Sequence, residues 1–218
     1  LVTQTPELAA RQSRALLIKQ LFALAIPIAV GIMVQTSYHL VNAFWVGRLG
    51  ADGIAVISMA FPANLILISL ASGLSLGGSV LIAQRHGAGD QQQVNHLAAQ
   101  TLSGQSILAV LLSAVGMLTA PLILRILGAN ADIFADAVTF LRISFVGTLF
   151  SFLCLSFQSV LRAVGEAKAS LRVIIPGVLL NALLDPLLIF GWGRLPAFGV
   201  QGAAYATLIT QLVTAIAG

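Results

Sequence analysis

Six long apolar runs make up almost the whole of this chain, and most of its charge is confined to the short joints between them. The runs lie at about residues 16–46, 54–83, 94–124, 134–160, 171–190 and 200–218. A helix needs about 20 apolar residues to cross the hydrocarbon core of a bilayer, and the runs meet that requirement. A spanning β-barrel would show alternating segments of about 10 residues, a pattern these uniformly apolar stretches lack. In hydrocarbon the backbone must satisfy its own polar groups, so such runs are helices. The expected fold is an all-α membrane protein, a six-transmembrane-helix bundle occupying residues 1–218 with no room for a soluble domain. Hydrophobic residues account for 58% of the chain and charged ones for 8%, where soluble domains carry roughly 25% charge.

The net charge of +4 does not point to nucleic acid, because the basic residues are scattered among the joints and form no patch. They read as topology signals. Seven of the 11 (Arg11, Arg14, Lys19, Arg85, Arg162, Lys168 and Arg172) fall with the N-terminus and the even joints, against Arg48, Arg125, Arg142 and Arg194 on the other side. By the positive-inside rule the N-terminus is cytoplasmic. The stretch from Glu7 to Lys19 is expected at the membrane surface. The first apolar run outlasts a signal-peptide core of about 7 to 15 residues, so it is a retained span. The chain opens on Leu1 and stops at Gly218 inside an apolar run, which is what a piece of a longer protein would show.

Asn181-Ala-Leu-Leu-Asp185-Pro186 sets a carboxylate deep in the fifth run. Residues four apart stack on one helix face, so Asn181 and Asp185 form a pair. An ionised Asp at mid-membrane costs about 3 kcal/mol or more, and such a residue ordinarily faces a partner, a cavity or a proton path. A low-dielectric surrounding favours the neutral acid, which suits a group that takes up and releases a proton. The structural alternative is that Asp185 caps a half-helix starting at Pro186, since Asp followed by Pro is ordinary helix-start chemistry. Both can hold together in a broken transporter helix.

In the first run Pro27 removes a backbone bond and predicts a hinge near residues 23–27. Beyond it Gln35, His39 and Asn42, with Tyr38 beside them, form a polar stripe that either lines a cavity or grips a neighbouring helix. The second run is interrupted by Pro62 and rich in small residues. Gln84 to Asp90 is expected as a turn; its Gly87-Ala88-Gly89 lacks the Gly-Lys-Ser/Thr continuation of a phosphate loop. His86 and His96 have no acidic or thiol neighbours to complete a metal set, so no metal site is expected. Cys154 is the single cysteine. Cys154, His39 and Asp185 fall on different runs and share no motif, which argues against a membrane-embedded enzyme.

Residues 24–29 (LAIPIA), 38–50 (YHLVNAFWVGRLG), 161–165 (LRAVG) and 181–191 (NALLDPLLIFG) together resemble the multidrug and toxic compound extrusion (MATE) transporters, in order and along the whole chain. The resemblance implies one N-terminal lobe of a two-lobe, twelve-helix transporter of the inner cell membrane. It implies secondary efflux of small cationic or amphipathic compounds by antiport against a proton or sodium ion, without a cofactor. The missing partner would be a C-terminal lobe. Similarity to the DinF-like branch puts Asn181 and Asp185 on the fifth-helix pair of the lobe's cation site. Asn42 stands where that branch commonly carries a first-helix acid, leaving Asp185 as the lone titrating group of the lobe. Span position adds Gln158 and Thr207 as cavity-lining candidates. In NorM-like relatives the coupling acids are thought to lie in the other lobe. The alternatives are a flippase for lipid-linked oligosaccharides, which would need several basic residues inside the spans where only Arg142 occurs, and a structural membrane scaffold.

Overall fold

The computed structural model describes residues 6–192 and 196–217; side chains of residues 6–17, 20 and 24 lie outside that set, as does the joint residue Arg194. Six helices follow one another: α1 (Pro6–Gly47), α2 (Ala51–Gly87), α3 (Gln91–Ile126), α4 (Ala131–Ala163), α5 (Ala167–Phe190) and α6 (Val200–Ala217). All six contain a stretch long and apolar enough to cross a membrane. Large apolar side chains such as Ile66, Leu118 and Ile216 point outward, an arrangement that hydrocarbon accepts and water does not.

Several helices overrun the apolar stretches that mark them in the sequence. Gln84 to Gly87, expected within a turn, belong to the last turn of α2, and the reversal is confined to residues 88–90. Gln and Arg are good helix formers, and at the membrane surface water satisfies the final carbonyls, so a helix need not stop where hydrocarbon does. Gly89 makes the turn at φ +75°, a left-handed conformation natural to glycine. Asp90 then caps α3, its carboxylate accepting the Gln93 N–H at 3.1 Å. The α4–α5 joint repeats the device with Gly165 at φ +84°.

Helix α4 is the axle of the bundle: it packs against α2, α3 and α6. The main apolar core forms around it, with Leu141, Phe145 and Phe152 meeting Ala60, Leu67 and Ala71 of α2 and Ala109, Ala120 and Leu124 of α3. Helix α5 packs on α6, and α1 rests chiefly on α5 with only slight contact to its sequence neighbour α2. The hinge residue Pro27 is buried within α1, and helix continues on both sides of it. Its missing N–H leaves the Ala23 carbonyl without a helix partner.

Candidate functional site

A stripe of residues spaced by four, Gly177, Asn181 and Asp185, lies buried along one face of α5. On α6 the buried face carries Gly202, Ala206 and Thr210. Two close approaches lock these antiparallel helices together. A Cβ on Gly177 would stand 2.7 Å from Thr214 Oγ1, and one on Gly202 would run into the backbone at Leu188 and Ile189. The register they fix sets Asn181 level with Thr210 and Asp185 level with Ala206.

Asn181 and Asp185 are both fully buried. Both amide atoms of Asn181 and both carboxyl oxygens of Asp185 make no hydrogen bond among the described residues, and the same holds for Thr210 Oγ1 and Asn42 Oδ1. Buried polar side-chain atoms nearly always find partners, so this concentration of bare ones in one layer of the bundle is unusual. Helix α1 closes the layer: the Tyr38 hydroxyl and Thr207 Oγ1 share a 2.9 Å hydrogen bond. Asn42 follows Tyr38 by one turn on α1, and Thr207 adjoins Ala206, which stands level with Asp185. The candidate site is thus Tyr38 and Asn42 from α1, Asn181 and Asp185 from α5, and Thr207 and Thr210 from α6.

Helix α5 runs unbroken through Pro186, so the reading of Asp185 as the cap of a half-helix is overturned. Proline at 186 still matters, because its missing N–H frees the Ala182 carbonyl one turn below. That adds one more uncommitted oxygen to the backbone between Asn181 and Asp185.

The polar stripe of α1 divides. Tyr38 and Asn42 are half-buried toward α6 and α5, while Gln35 and His39 are exposed. His39 packs edge-on to the Tyr38 ring at 5.1 Å. Gln35 lies lower, in a small cavity with Pro27 and Arg162. Gln158 is half-buried on α4 and bonds to none of the cluster among the described residues. Arg142 is exposed, its Nε donating to the Met117 carbonyl at 3.4 Å. Among the described residues no three His, Cys, Asp or Glu side chains gather as a metal set.

Two polar positions escape a reading of the sequence. Thr210 lies one turn beyond Thr207 on the same helix, and only the α5–α6 register shows that it faces Asn181. Gln105 is the second: fully buried on α3, its amide donates to the Ala71 carbonyl at 2.7 Å and to Ser75 Oγ. Ser159 of α4 closes that knot by donating to the Ser75 carbonyl at 2.9 Å. It joins α2, α3 and α4.

Six spanning helices enclosing a layer of unpaired polar groups define a polytopic integral membrane protein built around an internal polar site. The chain belongs to the MatE family, whose pattern matches residues 27–187. It is 30% identical over 97% of its length to the probable multidrug resistance protein YoeA of Bacillus subtilis, and 32% identical over 88% to the FAD transporter of Shewanella oneidensis. It covers 46% and 43% of those two proteins, so it spans less than half the length of these relatives. A solved MOP-superfamily transporter from Pyrococcus furiosus superposes with a TM-score of 0.84 at 33% identity, covering 91% of this chain and 43% of that one. Among its relatives are multidrug export proteins as well as the FAD transporter, membrane transporters and not enzymes.

Proposed function

We propose that this chain forms the N-terminal lobe of a secondary efflux transporter of the inner cell membrane, its N-terminus cytoplasmic. In this reading the transporter exchanges small cationic or amphipathic compounds against a proton or a sodium ion, and a C-terminal lobe completes the pathway. The observation that carries the proposal is the carboxyl of Asp185, fully buried and making no hydrogen bond among the described residues. An ionised carboxylate in that position costs several kcal/mol. A proton or a sodium ion removes the cost, and the uncommitted oxygens of Asn181, Asn42 and Thr210 are hard donors suited to a small cation.

Loss of the cation leaves a charge that needs donors, and two are at hand. Asn181 Nδ2 is unbonded among the described residues, and the Tyr38 hydroxyl is bonded to Thr207 Oγ1. Turning Tyr38 toward the carboxylate gives up its bond to α6 and releases α1 from that helix. The charge state of one residue thereby biases the position of a helix, which is the differential interaction a two-state transporter requires. Pro27, where α1 lacks a backbone bond, is where the movement is absorbed.

The test is transport by the full-length protein in proteoliposomes, driven in turn by a proton gradient and a sodium gradient. In Asp185→Asn neither gradient drives efflux of a cationic dye, while the purified protein unfolds at a temperature no lower than wild type. Gradient-driven efflux at the wild-type rate in that variant sinks the proposal. The flippase reading finds no support in this lobe, because Arg142, the basic residue it counts on, is exposed rather than turned toward the polar site.

A further inference from the structure

A second set of unpaired buried groups lies around Gln105, in the half of the bundle built from α2, α3 and α4. The amide nitrogen of Gln105 is committed to α2, where it donates to the Ala71 carbonyl at 2.7 Å and to Ser75 Oγ. Its oxygen is not. Gln105 Oε1 makes no hydrogen bond among the described residues, and neither does Ser156 Oγ of α4. Both residues are 0% exposed.

Two independent contacts bring these bare groups to one level. A Cβ on Gly116 would collide with the Phe145 ring, which fixes the register of the antiparallel pair α3 and α4. Gln105 lies eleven residues before Gly116 and Ser156 eleven after Phe145, so the two stand opposite each other. Each also belongs to the buried line of its helix: Gln105 with Ala109, Ser113 and Gly116 on α3, and Ser156 with Phe145, Phe152 and Ser159 on α4. Helices α2 and α4 run the same way, and Ser159 donates to the Ser75 carbonyl at 2.9 Å. One turn back, Ser156 therefore comes level with Ala71, where the Gln105 amide is bonded. Ser106, Ser144 and Ser151 satisfy their hydroxyls by donating to the carbonyl four residues earlier. Ser156 does not.

We propose that Gln105 Oε1 and Ser156 Oγ hold one internal water molecule between α3 and α4. A buried amide oxygen and a buried hydroxyl are costly when left bare, and water can donate to the first while it accepts from the second. Ser75 Oγ, bonded to the same amide, offers a third partner, which is the number an internal water ordinarily has. The ligand is neutral because the described acids of these three helices, Asp52, Asp90, Asp132 and Asp136, lie at or near helix starts. A metal cation would enter this layer with its charge uncompensated. A bridging water is nearly as good as a direct bond, and it keeps both groups satisfied through small shifts of α3 against α4. The site is separate from the Asp185 layer and stands whether or not that acid couples transport.

The full-length protein, carrying isotopically labelled glutamine in lipid bilayers, is tested by water-edited solid-state NMR. The Gln105 side-chain signal is identified by its loss in Gln105→Leu. Fully buried, it is nevertheless expected to take up magnetisation from water, and the transfer should fall severalfold in Ser156→Val, which puts a methyl group where the hydroxyl was. Ser151→Val, whose hydroxyl is bonded within its own helix, should leave it unchanged. A crystal structure of the wild-type protein that resolves ordered water needs no variant, so it carries the test if Ser156→Val misfolds. Density bridging Gln105 Oε1 and Ser156 Oγ is the expected result. A dry contact with Ser156 turned back to the Phe152 carbonyl, wild-type transfer in Ser156→Val, or an equal loss in Ser151→Val overturns the proposal.

Discussion

The hydroxyls of Tyr38 and Thr207, 169 residues apart in the chain, share a 2.9 Å hydrogen bond, and among the described residues it is the one side-chain bond that ties α1 to another helix. It lies in the layer where Asp185, Asn181 and Thr210 have no bonds. Tyr38→Phe should therefore cost only about 1 kcal/mol, the net worth of a single bond. The variant is expected to fold, to lose several-fold in gradient-driven efflux by the complete protein, and to show faster amide exchange along α1. Unchanged exchange in α1 would show that the bond does not hold the helix in place.

Asn181 buries two polar atoms without partners, a cost to the fold. Asn181→Leu keeps the volume and removes that cost, so thermal stability in detergent should hold or rise by about 1 kcal/mol. Transport should nevertheless fall, because the amide is a donor to the ion-free carboxylate. Lower stability with intact transport would assign Asn181 to packing alone.

Gly202 touches the backbone of α5 at Leu188 and Ile189, a neighbour that cannot rotate out of the way. Gly202→Val forces α5 and α6 apart and should cost about 1–3 kcal/mol or more, as overpacking does. The expected readouts are a lower unfolding temperature and reduced accumulation in the membrane. Gly73, with open space around it, is the control position and should accept alanine without loss.

The Gln105 knot separates shape from hydrogen bonding. Gln105→Leu fills the same space and leaves Ser75 able to bond within its own helix, so a loss of about 1 kcal/mol is expected. Gln105→Ala leaves a cavity among α2, α3 and α4 and should cost about 2–5 kcal/mol. Denaturation midpoints of the two purified variants measure the difference.

The number of spans among the described residues and their helical character were legible in the sequence because hydrocarbon leaves the backbone so few options. Helix ends were less so: α2 runs on through Gln84 to Gly87, since the hydropathy that marks a span stops at the membrane surface while hydrogen bonding does not. The pairing of Asn181 with Asp185 on one face followed from their spacing. Its surroundings did not, because the register of α6 on α5 depends on close approaches at Gly177 and Gly202 that no single helix displays. Asp-Pro misled for a related reason: it reads as a helix start wherever water can serve the freed carbonyl, and here α5 passes straight through it. Gln35 and His39 share a stripe with Asn42 on a helical wheel, yet neither joins the Asp185 layer: Gln35 lies lower, beside Arg162, and His39 is exposed.

Because α4 is gripped from three sides and α1 mainly from one, the two helices will respond very differently to laboratory evolution. A library spread over α4 should return mostly misassembled protein. One confined to the outward residues of α1 should keep its members folded and in the membrane.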